Sequence, residues 1–354
     1  MAPNCSGSRA ATVLAGVSGA EPLTSFRHSP ASFLPPKPLL MLRRTALALP
    51  FLATVAHAQA WRPARPVRLV IAFPPGGSTD VLGRLIAAPM TAGLGQPVVP
   101  ENRSGAAGSI GSAYVAQSAP DGLTLLLDSG GHAVNPYIMR GLPFDYATAF
   151  APVTLLATLP LVLVVAADSG IDSLEALRAR AANATYGSVG VGSRTHLAGA
   201  LLLRRWALSG THVPYRGGAD QITAQLRGET TFGFSSIALT AGLIREGKLR
   251  ALGVSSPGVA SQLPGVAPLA EQGLSGFSMM DWLALHAPAG TPAPVVAAHA
   301  EAASAAMAEP AIQPRLSDMG LLPEAHGPTH LARFLAEERA AMSQLVEAEG
   351  IRLD

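Results

Sequence analysis

The 354-residue sequence holds one cysteine, few charges (14% Asp, Glu, Lys and Arg) and few aromatics (5%). With a single thiol, Cys5, no disulfide can form within the chain. No basic run is present, and with aromatics this scarce nothing argues for a nucleic-acid partner. Long hydrophobic runs are missing as well, since no stretch reaches the roughly 20 uncharged apolar residues that cross a bilayer as a helix.

What the chain does have near its start is a targeting pattern. Residues 41–60 read MLRRTALALPFLATVAHAQA, with Arg43-Arg44, an apolar run from Ala46 to Val55, and Ala56-His57-Ala58 as a small-x-small cleavage site. This is the form of a secretory signal peptide. The Ser-, Pro- and Ala-rich residues 1–40 would bury that signal, so they are expected to be a disordered over-extension and Met41 the true start. Arg43-Arg44 leaves both the twin-arginine and the general export routes open. Removing residues 1–60 lowers Lys+Arg from 25 to 20 and Asp+Glu from 23 to 22, so the exported chain is near −2. It would also carry no cysteine, neither for thiol chemistry nor for a lipid anchor, as an oxidising periplasm permits.

The remaining residues suffice for two modest α/β domains. Strand-like runs occur at 67–73, 123–128, 161–166, 184–189, 230–234, 249–254 and 283–286. They alternate with helical patterns at 79–94, 108–118, 173–181, 195–208, 220–227, 237–246, 294–308, 310–319 and 328–349. The alternation predicts an α/β fold of parallel sheets with crossover helices. Ser173 is the expected N-cap of one helix and Gly247 the expected stop of another. Residues 287–294, rich in Pro, read as a linker, and no internal repeat is evident.

The segment Arg68-Leu-Val-Ile-Ala-Phe-Pro-Pro-Gly-Gly-Ser-Thr-Asp80 runs from strand to helix through two prolines and two glycines. Pro74 and Pro75 forbid continuation of the strand, while Gly76-Gly77 allow a tight turn and close approach of a ligand. The next helix begins near Ser78, where free N–H groups and the positive dipole end could hold a carboxylate or phosphate. Such a turn, taken alone, is more often only a turn. Three more Gly- or Ser-rich turns follow strands: Ser129-Gly130-Gly131-His132, Ser188 to Thr195, and Ser235-Ser236. In open parallel sheets ligands bind at the carboxyl ends of strands, which is where all four lie.

Rival patterns are incomplete. Asp128-Ser-Gly-Gly131 matches a trypsin-like nucleophile motif in order, but no upstream His and Asp context accompanies it and the chain is not all-β. A hydrolase built on Ser129 or Ser188 with His132 or His196 lacks the Gly-x-Ser-x-Gly elbow. Gly190-Val-Gly192 lacks the third glycine of a dinucleotide fingerprint, that place being Thr195, and Gly105, Gly108 and Gly111 have the wrong spacing. His132, His196 and His212 sit in separate motifs without metal-ligand spacing.

A run of ordered motifs extends from about residue 62 to 351. After the opening segment come Gly95-Gln-Pro-Val-Val-Pro-Glu-Asn-Arg-Ser-Gly-Ala-Ala-Gly-Ser-Ile-Gly111, Ala119-Pro-Asp-Gly122, His132-Ala-Val-Asn-Pro136 and Leu142-Pro-Phe-Asp145. Then follow Thr185-Tyr-Gly-Ser-Val-Gly-Val-Gly-Ser-Arg-Thr-His-Leu-Ala-Gly199, His212-Val-Pro-Tyr-Arg-Gly-Gly218, Gly247-Lys-Leu-Arg-Ala-Leu252 and Ala287-Pro-Ala-Gly-Thr-Pro292. In these the chain resembles the Bug (TctC) family of periplasmic solute-binding proteins, the receptors of tripartite tricarboxylate transporters.

The resemblance implies a two-lobed periplasmic binding protein of the flytrap type, lobe one at 61–160 plus 287–354 and lobe two at 161–286. It implies capture of a small carboxylated ligand without catalysis, cofactor or metal. A monomer would suffice, working with transporter subunits in the membrane or with a sensor protein. The expected ligand set is Phe73, Pro75, Gly76, Gly77, Ser78 and Asp80 on the first turn and Ser129, Gly131 and His132 on the second. The third turn contributes Ser188, Gly190, Gly192, Ser193, Arg194, Thr195 and His196. Ser235, Ser236 and Trp282 complete it. Within that set Asp80 reads as a first-turn carboxylate facing the helix dipole, His196 as a loop-orienting group and Trp282 as either a lid or a core residue. His212 should lead a strand. Arg194 stands where family members often have a small residue or Pro; pointing inward it could meet a second ligand carboxylate, pointing outward it is a solvated charge. Ser235 replaces an Asp found in many relatives, which favours plain carboxylates over amino acids.

Overall fold

A computed structural model describes residues 61–350; the targeting segment, Met41 and Cys5 lie outside the described residues. The chain order is β1 (Val67–Ile71), α1 (Ser78–Leu94), β2 (Val98–Asn102), α2 (Ser109–Ala116), β3 (Thr124–Ser129), α3 (Gly131–Ile138) and β4 (Phe150–Ala166). It continues with α4 (Leu174–Arg180), β5 (Ala184–Ser188), α5 (Arg194–Arg205), β6 (Gly210–Pro214), α6 (Gly218–Leu226), β7 (Phe232–Ser236), α7 (Ile237–Arg245) and β8 (Leu249–Val254). The last elements are β9 (Met280–Pro288), α8 (Ala293–Ala308), α9 (Gln313–Asp318), β10 (Leu322–Pro323) and α10 (Pro328–Glu349).

The strands form one curled sheet in the order β2-β1-β3-β9-β4-β7-β5-β6, with β8 and β10 also on β4. The outer pairs β1–β2, β1–β3, β5–β6 and β5–β7 are parallel, as βαβ alternation predicts. At the centre β4 and β9 run antiparallel to each other and to their other partners, so the sheet is mixed rather than mostly parallel.

β4 is the axis of the molecule. Its 17 residues are almost continuously apolar because both faces are covered. Residues 150–160 pair with β9, and from Leu161 onward the strand pairs with β7 and β8 instead. The sequence reading found only its second half, because Pro152 and Pro160 look like strand breakers. The register shift between Pro152 and Thr154 is the irregularity that admits a proline there. Residues 280–286, grouped above with the second lobe, belong to β9 and pair with β3 and the first part of β4.

Two large apolar clusters flank the sheet. One gathers Leu69, Ile71, Leu82, Ile86, Met90 and Leu127, in which Leu82, Ile86 and Met90 form the i, i+4, i+8 stripe of α1. Burying each such side chain stabilises the fold by about 1.5–3 kcal/mol. The other gathers Leu163, Val165, Leu197, Phe232 and Phe234, and Leu331, Leu335 and Met342 of α10 join it. Helix ends follow local chemistry: the Ser173 hydroxyl accepts from the Ala176 N–H, and Gly247 after α7 is left-handed (φ +69°). The expected linker at 287–294 is a four-residue turn between β9 and α8.

Candidate functional site

β1 feeds a turn in which Pro74 and Pro75 offer no N–H and Gly76 is left-handed (φ +84°). α1 starts at Ser78 with Gly77 as an N-cap that has no side-chain acceptor, so its first N–H groups are not capped by a side chain. The turn is held from behind by Asp80, 4% exposed, whose carboxylate accepts from the Gly76 N–H, Arg84 Nε and Asn102 Nδ2, each at 2.9 Å. Burial raises the Asp80 pKa, but these hydrogen bonds outweigh it and hold the group below its usual range. Asp80 and Gly76 therefore pin the turn, and the Gly76 N–H is already spent on Asp80.

A cavity of about 910 Å³ opens beside this turn, within the range of small-molecule sites. Phe73, Pro75, Gly77 and Ser78 line it, together with Ser129, Gly190, Ser193, Arg194, Thr195, Ser235 and Ser236. These residues lie far apart in sequence and converge because every loop that carries them follows a strand end and opens a helix.

The β5–α5 loop is rigid by its own hydrogen bonds. Ser193 Oγ accepts from the His196 N–H as the N-cap of α5 and donates to the Gly190 carbonyl at 2.7 Å. Thr195 Oγ1 accepts from the Val189 N–H, and His196 Nδ1 accepts from the Gly192 N–H. Ser188 Oγ and His212 Nε2 are 2.6 Å apart, and the His196 and His212 rings stack at 3.7 Å. Burial, then the neighbouring imidazole, lowers His196 to about 3, and burial lowers His212 to about 4, so both are neutral near pH 7. Ser188, Gly192 and His196 thus shape the loop from outside the cavity. His212 lies in the middle of β6 rather than at its head.

At the second turn only Ser129 reaches the cavity; Gly131 and His132 lie beneath it. His132 Nδ1 meets Asp128 Oδ2 at 3.2 Å, and its ring stacks on His286 at 4.3 Å. Burial pushes Asp128 up to about 6 and His132 down to about 3. Ser112 Oγ also binds Asp128, but Ser112 is fully buried and so cannot meet a substrate. Among the described residues no group of three or more His, Cys, Asp or Glu is placed to hold a metal ion.

Arg194 points inward. Its guanidinium forms an ion pair with Glu338 of α10, and Glu338 Oε2 also accepts from Trp282 Nε1 at 3.0 Å. Trp282 is buried in the core, away from the cavity.

The sequence reading missed much of the wall, including Ser104 to Gly108, Tyr215 to Gly218 at the start of α6, and Asp281. Tyr215-Arg-Gly-Gly218 had a signal, a Gly pair after a strand-forming run, which the first turn also carries. With it, the N-termini of α1, α5, α6 and α7 all border the cavity, and those of α1, α6 and α7 have no side-chain cap. The hydroxyl oxygens of Ser78, Ser235 and Ser236 are buried there without a hydrogen-bond partner in the protein. Buried hydroxyls ordinarily have one, so these three leave hydrogen-bonding capacity, as donor or acceptor, unspent at the cavity.

Comparison with known proteins agrees. Residues 82–351 match the tripartite tricarboxylate transporter family receptor, TctC. The chain belongs to this family. A Pseudomonas sp. strain P51 protein from the tcbD-tcbE intergenic region is 36% identical over 311 residues, 86% of this chain and 93% of its own. The periplasmic binding protein BugD superposes with a TM-score of 0.77 at 28% identity, over 82% of this chain and 99% of that one. MatC from Rhodopseudomonas palustris with bound malate gives 0.76 at 32% identity (80% and 99%). R. palustris Rpa4515 with adipate gives 0.78 at 30% identity (82% and 99%). The family and its solved members identify the fold as that of a two-lobed periplasmic binding protein.

Proposed function

We propose that this TctC-family chain is an exported receptor that captures a small carboxylate between two lobes and delivers it to a tripartite tricarboxylate-type transporter. The observation that carries this reading is the convergence of three uncapped helix N-termini and three unpartnered serine hydroxyls on one cavity. Backbone N–H groups at helix starts favour negative charge, and the hydroxyls add donors that rotate to suit. One carboxylate is held at Gly77 and Ser78, directly or through water, while Gly190, Ser193, Thr195, Ser235 and Ser236 bind the remainder. Related receptors with malate and adipate bound support a carboxylate as cargo.

The lobes divide where β4 changes partners, at Pro160–Leu161, and again just before β9 at Met280 rather than near residue 287. Ligand bridging the two halves favours the closed arrangement by the difference in its affinity for the two states. The receptor reading carries no catalytic role and is supported by placement: the Ser188–His212 pair lies outside the cavity, and His132, paired with Asp128, is buried beneath it.

Thermal unfolding of the purified protein against mono-, di- and tricarboxylates tests the reading. A true ligand at about 100 times its dissociation constant adds roughly 2.7 kcal/mol, a rise of several degrees. No shift with any carboxylate, together with turnover of an ester or amide, would favour a hydrolase instead.

A further inference from the structure

Two acidic side chains line the cavity, Asp220 and Asp281; Asp220 is exposed at its rim, and Asp281 lies deeper in the wall. Asp281 is the second residue of β9 and lies opposite Leu159 of β4, half-buried in the cavity wall near Arg194 and Ser129. Its carboxylate is fixed on one side only: Oδ1 accepts from the Gly130 N–H at 3.0 Å and from the Trp282 N–H at 2.8 Å. Oδ2 has no hydrogen-bond partner among the described residues. Arg194 lends a favourable charge but does not occupy Asp281, because its ion pair is with Glu338 and its Nη1 lies 3.0 Å from the sulfur of Met342.

A carboxylate side chain can only accept hydrogen bonds, and it repels an anion that brings nothing to donate. Its cost in an anion site is offset when the ligand places an O–H or N–H against it. On the proposed receptor reading, on which this inference rests, we infer that Asp281 selects carboxylates that also bear a hydroxyl or ammonium donor. On this inference Asp281 supplies from β9 the anionic acceptor that Ser235 lacks on β7, and the site differs from one for plain carboxylates. A site built around a donor-acceptor pair rejects analogues lacking the donor strongly, because the acceptor is then left desolvated and unpaired.

Matched titrations by calorimetry test this on the purified full protein. The series are propionate, lactate and alanine, and succinate, malate and aspartate. In at least one series a donor-bearing member should bind at least tenfold more tightly than its donor-free parent, lactate and malate reporting hydroxyl and alanine and aspartate reporting ammonium selection. Asp281→Asn keeps the acceptor for the two backbone N–H groups but replaces Oδ2 with a donor, and should shrink that ratio to within twofold. Donor-free parents that bind as tightly as their partners overturn the inference in the unmodified protein alone, whether or not the variant folds. A ratio unchanged in a folded Asp281→Asn also overturns it. If no carboxylate of any kind binds, the receptor reading itself fails.

Discussion

Arg194, in the first turn of α5, forms its ion pair with Glu338 in α10, near the other end of the chain. The contact ties the loop that frames the cavity to a helix that follows β10, and Trp282 joins it through Glu338. Arg194 is 3% exposed and its charge is met inside the protein, so it clamps the cavity wall, while its Nε has no hydrogen-bond partner.

Removing one partner leaves a buried cation unpaired. Glu338→Gln should destabilise the protein by about 3 kcal/mol, the low end for breaking a buried pair because Glu338 is partly exposed. Arg194→Met with Glu338→Leu should recover only part of that loss, since an apolar pair avoids the desolvation of both charges but leaves the Trp282 indole N–H without its acceptor. Urea unfolding of the single and double variants measures both values.

Gly77 has ordinary backbone angles (φ −78°), and a side chain there would meet only the Pro74 carbonyl at 3.7 Å. Gly77→Asp should therefore fold normally while placing a negative charge at the start of α1. Carboxylate affinity is expected to fall more than tenfold, over about 1.4 kcal/mol, with an unchanged melting temperature in the absence of ligand. Intact affinity in this variant would show that the first turn does not hold the ligand.

Ser235 is 1% exposed, and its hydroxyl has no protein partner. Ser235→Ala removes a buried polar group that contributes nothing to the unliganded fold, so stability should hold or rise slightly. Ligand affinity should drop about five- to tenfold, the worth of one hydrogen bond. Calorimetry and melting curves on the same sample separate the two effects.

Acid should weaken the fold. Burial holds His132 and His196 near 3 and His212 near 4, against 6.5 in an unfolded chain. Between those values the unfolded chain binds protons that the folded one refuses, so stability is full above about pH 6.5 and declines as pH falls through it. Asp128, raised from 3.8 to about 6, and Asp281, also raised by burial, work the other way on acidification, but burial lowers His286 and His299 as well, so five imidazoles oppose two carboxylates. The melting temperature should fall between about pH 7.5 and 4.5; one that is flat or rises on acidification would contradict the assignment of neutral imidazoles.

Much of this architecture is legible in the sequence because it is written locally. Pro74 to Ser78, the Ser173 cap and the Gly247 stop each set backbone geometry within a few residues, and the helices lie within a few residues of where periodicity places them. α3 escapes that reading because Pro136 falls inside it. The first half of β4 escapes because its prolines resemble ends, and a bulge accommodates one of them. The Arg194–Glu338 pair and the approach of Asp281 to Gly130 are set by tertiary packing between distant segments, so no spacing rule reports them. Asp281 sits beside Trp282, the more conspicuous residue, yet alternation along β9 puts the carboxylate in the cavity and the indole in the core.

The central claim is that helix N-termini and unpartnered serines recognise a carboxylate as an anion. Its most direct test is calorimetric titration of the purified protein with malate, aspartate, succinate, adipate and benzoate, each beside its neutral amide. At least one acid should bind while its amide, equal in shape but uncharged, binds at least a hundredfold more weakly, about 2.7 kcal/mol. Equal binding of an acid and its amide would contradict recognition of charge by this cavity.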